Sequence, residues 1–381
     1  MRILLLADLH IGTIKDINYH YANITNIIDK EITLTGCDMV VILGDYFDRL
    51  FKVNEEFVSL AINVMSFLVR TCIKTRTKIR IVYGTESHEM DQYRLFNHFL
   101  SSKTVDMKLF TTCTEEIVNG KKILYVPEEY MQNKYDFYKD TIYGEKNYDY
   151  VFGHGVIAEG MPAQVSRARE TDAINTENKV PHFNTTELSK SGKLVVFGHQ
   201  HKPWDCENVH YLGSLNRWCF GEEDDKRYGI IEDDKLTFVT NEDAFIYKTY
   251  EFASDNPIYE SADNIMNEVK RIKDENREIF DGTKFGKIRL LFHVPENVDP
   301  TFHDNLKSLL FNDKNITTLL KETYTETVTE ESAEVEQEMD FIIDNTIQPD
   351  DKIYNFIMKS HEDLDLSLKE LKSYIHDPLE L

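Results

Sequence analysis

Arg2-Ile3-Leu4-Leu5-Leu6-Ala7-Asp8-Leu9-His10-Ile11-Gly12-Thr13 opens on a short apolar run that passes directly into Asp-x-His. A run of this length, closed by polar residues, is the pattern of a strand with both faces covered. The pattern repeats downstream. Residues 16–33 carry Ile17, Ala22, Ile24, Ile27 and Ile28 at approximate helical spacing. Met39–Leu43 is a second apolar strand that ends in Gly44-Asp45, residues 54–70 suit a second helix, and Lys78–Tyr83 is a third strand that ends at Gly84. Strands alternating with helices predict an α/β fold with a largely parallel, buried sheet. In such sheets ligands bind beyond the carboxyl ends of the strands, where the polar residues cluster here.

Lys122–Val126, Tyr150–Phe152, Lys193–Phe197 and Val209–Leu212 read as further strands. Residues 158–192 form a polar interruption with little periodicity, the pattern of a long insertion. A boundary is expected near 250–257. Beyond it, Ala262–Ile272 suits a helix, Lys287–Val294 a strand and Phe302–Leu310 a helix, together a small α+β domain. Residues 325–339 are acidic and poor in large apolar side chains, so they read as a solvated linker. Ile353, Phe356, Ile357, Leu364, Leu368, Leu371 and Ile375 then suit one or two amphipathic helices.

Composition bounds the function. With 41% hydrophobic residues in 381, two or three packed domains are expected and a wholly disordered chain is excluded. No uncharged apolar run reaches the roughly 18 residues of a bilayer span. The run Ile3–Ala7 is too short for a signal-peptide core. Five scattered cysteines without a CxxC argue against a disulfide framework, and a cytoplasmic or nucleoid-associated place is expected. The net charge of −24 excludes coating of nucleic acid by bulk electrostatics. It leaves room for an enzyme that meets DNA through metal ions or a local patch. Arg70, Lys74, Arg76, Lys78 and Arg80 form a basic run that precedes the third strand, opposite the polar loops, and reads as a solvated face. Arg167, Arg169, Lys179, Lys190 and Lys193 are better placed to meet a substrate. Trp204 reads as a packing residue that could alternatively stack on a base.

Five elements carry the chemistry: Asp8-x-His10, Gly44-Asp45-Tyr46-Phe47-Asp48-Arg49, Gly84-Thr85-Glu86-Ser87-His88-Glu89, Gly153-His154 and Gly198-His199-Gln200-His201. Each follows an expected strand. Carboxylate oxygen with imidazole nitrogen suits Mn, Fe or Zn, whereas an all-oxygen set would suit Mg or Ca. One carboxylate can bridge two metals about 4 Å apart, a pair that acidifies water and clamps both oxygens of a phosphate-ester displacement. Single motifs of this kind are common; five in order at strand ends are not.

In that order the chain resembles the calcineurin-like metallophosphoesterases, whose motifs run DxH, GDxxD, GNHD/E, a lone His and GHxH. Within them it is most similar to the SbcD-type nuclease subunits of DNA double-strand-break repair complexes. Gly44-Asp45-Tyr46-Phe47-Asp48 is close to that subgroup's GDxFD. Tyr211-Leu212-Gly213-Ser214-Leu215-Asn216-Arg217, followed by Phe220-Gly221-Glu222 and Lys226, resembles its YPGSxxR…FGE…K stretch. The motif resemblance covers about residues 1–232; beyond them it is architectural.

The resemblance implies a four-layer α/β metallophosphoesterase sandwich over residues 1–250, a small α+β capping domain over 257–322, an acidic linker over 323–349 and a helical tail over 350–381. It implies two Mn2+ ions, with Mg2+, Fe2+ or Zn2+ as alternatives. Asp8, His10, Asp45 and His201 would hold one; Asp45, His154 and His199 the other. His88 would act on the transition state, Asp48 and Arg49 would orient loops, and Gly213, Ser214 and Arg217 would shape the substrate wall. The family has Asn, a ligand to the second metal, before the catalytic His; here Ser87 stands there. Ser87 either coordinates directly or through water, or a longer loop delivers Glu86 instead. The implied activity is Mn-dependent exo- and endonuclease cleavage of DNA. A coiled-coil ATPase subunit of the SbcC type would dock on residues 350–377, and any ATP-driven step would be the partner's, because the chain has no GxxxxGK[ST] phosphate loop. A homodimer and no membrane contact are expected. Two readings compete: a small-molecule or cyclic-nucleotide phosphodiesterase or phosphatase on the same site, and a weakly catalytic end-binding scaffold, motivated by Ser87.

Overall fold

The computed structural model describes residues 1–144, 147–160, 181–295, 298, 301–310 and 313–322. The acidic linker of 323–349, the tail of 350–381, and Arg167, Arg169 and Lys179 lie outside the described residues.

The apolar runs become central strands because both of their faces find cover. Leu4, Leu6, Val40, Ile42, Ile79 and Ile81 face one way and pack with the helices Ile17–Ile28 and Glu56–Thr75. Ile3, Leu5, Met39, Val41, Leu43 and Val82 face the other way and pack on a second sheet through Ile123, Tyr125, Tyr150, Phe152, Leu194 and Val196. That second sheet covers its outer face with Tyr138, Phe183 and Leu188 packed on Leu124, Val151, Val195 and Phe197. The result is the expected α/β sandwich: helix, sheet, sheet, helix.

Each sheet has six strands. The first runs Lys235–Thr240, Arg227–Glu232, Arg2–Leu6, Met39–Leu43, Lys78–Val82, Met107–Phe110 from edge to edge. The second runs Trp204–Cys206, Val209–Tyr211, Gly192–Gly198, Tyr148–His154, Lys121–Val126, Thr114–Val118. Arg2–Leu6, Met39–Leu43 and Lys78–Val82 are mutually parallel, as are Lys121–Val126, Tyr148–His154 and Gly192–Gly198. The helix Glu56–Thr75 is long and apolar enough, by length and composition, to cross a membrane. Here it is a core helix on one side, burying Leu60, Ala61, Val64, Met65, Leu68 and Val69. Each such Leu, Val or Met contributes about 1.5–3 kcal/mol.

Two expectations change. The small α+β domain starts earlier than residue 257. Ile246–Phe252 pairs in parallel with Gly286–Val294, and Ile316–Glu322 completes that three-stranded sheet. Its core joins Phe252, Ile265, Val269, Ile288, Leu290, Phe292 and Phe302. A half-buried strand looks the same in sequence whichever sheet it joins, so only its partner reveals the boundary. The basic run is not uniformly solvated either: Arg70, Lys74 and Arg76 are exposed, but Arg80 is 1% exposed.

Candidate metal centre

Six parallel strands, three from each sheet, end at one place. Leu6 leads to Asp8 and His10, Leu43 to Asp45, Val82 to Gly84-Thr85, and Val126 to Glu128; His154 closes its own strand, and Gly198 leads to His199 and His201. The chain must turn sharply at these ends. Asp8, His10, Asp45 and His199 take φ of 48°, 40°, 46° and 99°. A positive φ is unfavourable for a residue with a Cβ, at about 1–3 kcal/mol each, and such strain concentrates at functional sites.

The side chains converge in two groups. Asp8, His10 and His201 offer one ligand atom each within 4.8 Å of one another; Asp45, His154 and His199 do the same. Asp45 sits between the groups: its Oδ2 is 3.5 Å from His10 Nε2 and 3.4 Å from His154 Nε2. Asp8, His10, Asp45 and His154 are all buried. Neighbours set the ring orientations. His154 donates from Nδ1 to the Leu43 carbonyl at 2.8 Å, which leaves Nε2 to face Asp45. Glu222 Oε1 lies 3.5 Å from His201 Nδ1. Buried Lys226 bonds Glu222 at 2.8 Å and donates to the His201 carbonyl at 3.0 Å. Such outer partners fix which imidazole nitrogen faces a metal.

The electrostatics ask for cations. Burial pushes Asp8 up to about 6 against the pull of His154 and His201. Burial would raise Asp45 too, but His154 and His10 hold it well below the carboxylate range. Burial holds the His10 imidazole well below its usual value, and among the described residues neither of its ring nitrogens makes a hydrogen bond. Among the described residues, no Lys or Arg pairs with Asp8 or Asp45. Buried carboxylates without a cation are costly, and orphaned buried imidazole nitrogens equally so. Two oxygen-and-nitrogen donor groups that share a carboxylate fit a pair of divalent metal ions.

The model of the calcineurin-like phosphoesterase family matches residues 1–203, more than half of the chain. The chain belongs to the calcineurin-like phosphoesterase family. Its chemistry is that of a metal-dependent phosphoester hydrolase. No curated protein matches it significantly. Among solved structures, one chain is 9% identical with a TM-score of 0.38, aligned over 63% of this chain and 98% of its own. The Haemophilus influenzae NAD nucleotidase is 11% identical with a TM-score of 0.31, aligned over 81% of this chain and 59% of its own.

Around this phosphoesterase centre the other expected residues divide. His88 stands beside it, its ring 5.0 Å from that of His10, with Nδ1 donating to the Asp48 carbonyl. Asp48 is close too: its Oδ1 accepts from the Thr13 hydroxyl at 3.0 Å and lies 3.9 Å from His10 Nδ1. The Arg49 guanidinium instead turns outward to Glu55 at 2.7 Å, and its carbonyl accepts from Gln92. Ser87 is a correction. It and Glu86 are exposed on the single helical turn Glu86–Glu89, while Thr85 brings its hydroxyl to the second group. Ser214 is a correction as well. It is fully buried and its hydroxyl donates to the Asn216 carbonyl at 2.8 Å, so it braces a turn. Gly213, at φ 82°, is buried against Pro203 and offers no wall to a substrate. Arg217 points to the Phe245 carbonyl at 3.4 Å, toward the small domain. Trp204 packs near Tyr211.

Six residues at the site do not follow from the motif pattern. Glu128 follows a parallel strand as the ligands do, and that placement was the available signal. Thr85 needed the loop's true register. Glu222 and Lys226 stand in the sequence only as letters of the stretch 211–226. Trp218 packs its ring 3.4 Å from those of His10 and His201, centroid to centroid. The motif acid Glu89 is buried and accepts from the Tyr46 N–H at 2.8 Å and the Gly84 N–H at 2.5 Å, locking two ligand loops together.

Proposed function

We propose that this phosphoesterase is a Mn-dependent DNA exo- and endonuclease, the nuclease subunit of an SbcC/SbcD-like repair or recombination complex. One observation carries the reading. The stretch that resembles the SbcD-type subgroup, residues 211–226, is also the stretch that builds the wall of the first donor group. Glu222 faces His201 Nδ1, Lys226 holds the His201 carbonyl, and Trp218 covers His10 and His201. Two of the subgroup's letters, Glu222 and Lys226, are therefore residues that hold His201.

Asp8, His10, Asp45 and His201 would hold one cation, and Asp45, His154 and His199 the second. When bound, the pair supplies charge stabilisation for the phosphate oxygens and an acidified water. The chain's own residues do the rest. His88, anchored through Nδ1, keeps Nε2 for proton transfer to the departing oxygen. Asp48 holds Thr13 and supplies the carbonyl that anchors His88. Trp218 packs against the His10 and His201 rings. The coiled-coil ATPase would join through residues 350–377; a chain ended at residue 340 should keep hydrolysis and lose that partner.

The test is cleavage of linear duplex and single-stranded DNA by the purified chain in Mn2+, Mg2+ and EDTA, beside cyclic nucleotides and beside His88→Gln. Mn-dependent DNA cleavage that disappears in the variant supports the reading. Hydrolysis of cyclic nucleotides with intact DNA overturns it in favour of a small-molecule phosphodiesterase.

A further inference from the structure

We propose that Glu128 is a ligand of the second metal, with the Thr85 hydroxyl as a further donor beside it. The inference rests on the two-metal reading above and states which residues complete one of its sites.

Glu128 lies two residues past the strand Lys121–Val126. Its N–H donates to the Tyr83 carbonyl at 3.1 Å, which fixes the turn beside the Gly84-Thr85 loop. The residue is 5% exposed. Its Oε2 lies 3.4 Å from His199 Nδ1, 3.9 Å from His154 Nε2 and 3.3 Å from Thr85 Oγ1. Thr85 Oγ1 lies 3.3 Å from Asp45 Oδ2, 3.3 Å from His154 Nε2 and 3.5 Å from His199 Nδ1. One hydroxyl oxygen thus faces four donor atoms at nearly equal distance. Donor atoms that bind one cation at bonds of about 2.0–2.6 Å stand about 3–4 Å apart, and these spacings fall in that range.

Charge argues the same way. Among the described residues, Glu128 has no Lys or Arg partner; its ionic neighbours are His154 and His199. Its Oε1 accepts from the Tyr130 hydroxyl at 3.3 Å, which holds the carboxylate with Oε2 turned inward. A buried carboxylate placed against two imidazoles is stabilised by a cation between them. Asp8, Asp45 and Glu128 then set three negative charges against two dications. Three oxygens with two imidazoles form a donor set suited to Mn2+ or Fe2+. The second site therefore needs nothing from Ser87.

The test reads metal, not turnover. The full-length chain is loaded with Mn2+, freed of excess, and its Mn per chain measured with calorimetric affinities and electron paramagnetic resonance. Glu128→Ala, Glu128→Gln and Thr85→Val are compared with wild type, and the metal-free melting temperatures report folding. Two Mn2+ per chain are expected in wild type, with the spectrum of a coupled pair. Glu128→Ala should keep one tight ion, weaken the second by more than the roughly 10–100-fold that loss of an outer partner costs, and show an isolated-ion spectrum. Glu128→Gln, which keeps the shape, should fall between. Two ions of unchanged affinity in both Glu128 variants would overturn the ligand assignment and leave the two-metal reading standing. One ion or none in wild type would overturn both.

Discussion

Arg80, in the core of the first sheet, forms a two-pronged ion pair with Glu116 on the edge strand of the second, at 2.7 and 2.9 Å. The guanidinium also donates to the Ile79 and Asp106 carbonyls, and Lys108 and Tyr125 bond the same glutamate. The pair staples the two sheets at one edge. Removing one partner of a buried pair leaves the other unpaired, so Glu116→Ala should cost about 3 kcal/mol, at the low end because Asp106 remains. The pH dependence has a definite sign. Burial would raise the Glu116 carboxyl, but the bonds from Arg80 and Lys108 hold it below 4.5. A depressed folded value gives stability above the unfolded pKa that disappears as pH falls through the folded one. Urea midpoints of wild type and Glu116→Gln should therefore differ at pH 7 and converge only as the pH falls through the depressed folded value, below the ordinary glutamate range. A constant gap across that range would refute the ionic account.

Gly44 and Gly120 offer a matched pair. Both have φ near 80°, but a Cβ on Gly44 would lie 2.2 Å from His154 Nδ1, whereas nothing lies within 4 Å of one on Gly120. Gly120→Ala should cost only backbone strain, about 1–2 kcal/mol, with metal content unchanged. Gly44→Ala should displace His154 from the Leu43 carbonyl and reduce bound metal from two ions to one. Metal analysis of the two variants checks this; equal metal content in both would refute the close-approach argument.

The sequence made the strands legible because each was a short continuous apolar run, and such runs have one stable place in a soluble α/β domain. It made Asp8, His10, Asp45, His154, His199 and His201 legible because each stands directly past such a run. What it hid depended on distance or on register. Arg80 reads as surface until Glu116, on another sheet, is placed beside it. Thr85 and Ser87 are equally plausible from letters alone, since the number of residues in a loop does not say which one turns inward. Ser214 looks like a substrate contact until its hydroxyl is seen bonding the Asn216 carbonyl. Glu128 belongs to no motif, and only the parallel alignment of Lys121–Val126 with the ligand strands brings it to the site.

His88 should separate chemistry from metal binding. Its Nδ1 is committed to the Asp48 carbonyl, and it belongs to neither donor group. His88→Gln should leave two metals per chain and slow turnover by about 10²–10⁴-fold, the range for loss of a positioned acid–base group. Single-turnover rates at saturating metal check this. A variant that also loses a metal ion would make His88 a ligand instead.

Lys226 should control the first donor group without touching a metal. Its ammonium is fully buried between Glu222 at 2.8 Å and the His201 carbonyl at 3.0 Å. Glu222 faces His201 Nδ1 in turn, so the lysine keeps that carboxylate charged and in place. Burial would raise Glu222, but His201 and Lys226 hold it below its usual value. Lys226→Met keeps the chain length and removes the charge. His201 then loses one of the donors to its carbonyl, which the Ser214 N–H still holds at 3.1 Å, and a fixed partner for Nδ1. The first metal should bind about 10–100-fold more weakly, while the second, held by Asp45, His154 and His199, keeps its affinity. Calorimetric titration below the melting transition distinguishes the sites. An equal loss at both would mean that the substitution loosens the whole domain, and no loss at either would mean that Glu222 holds His201 unaided.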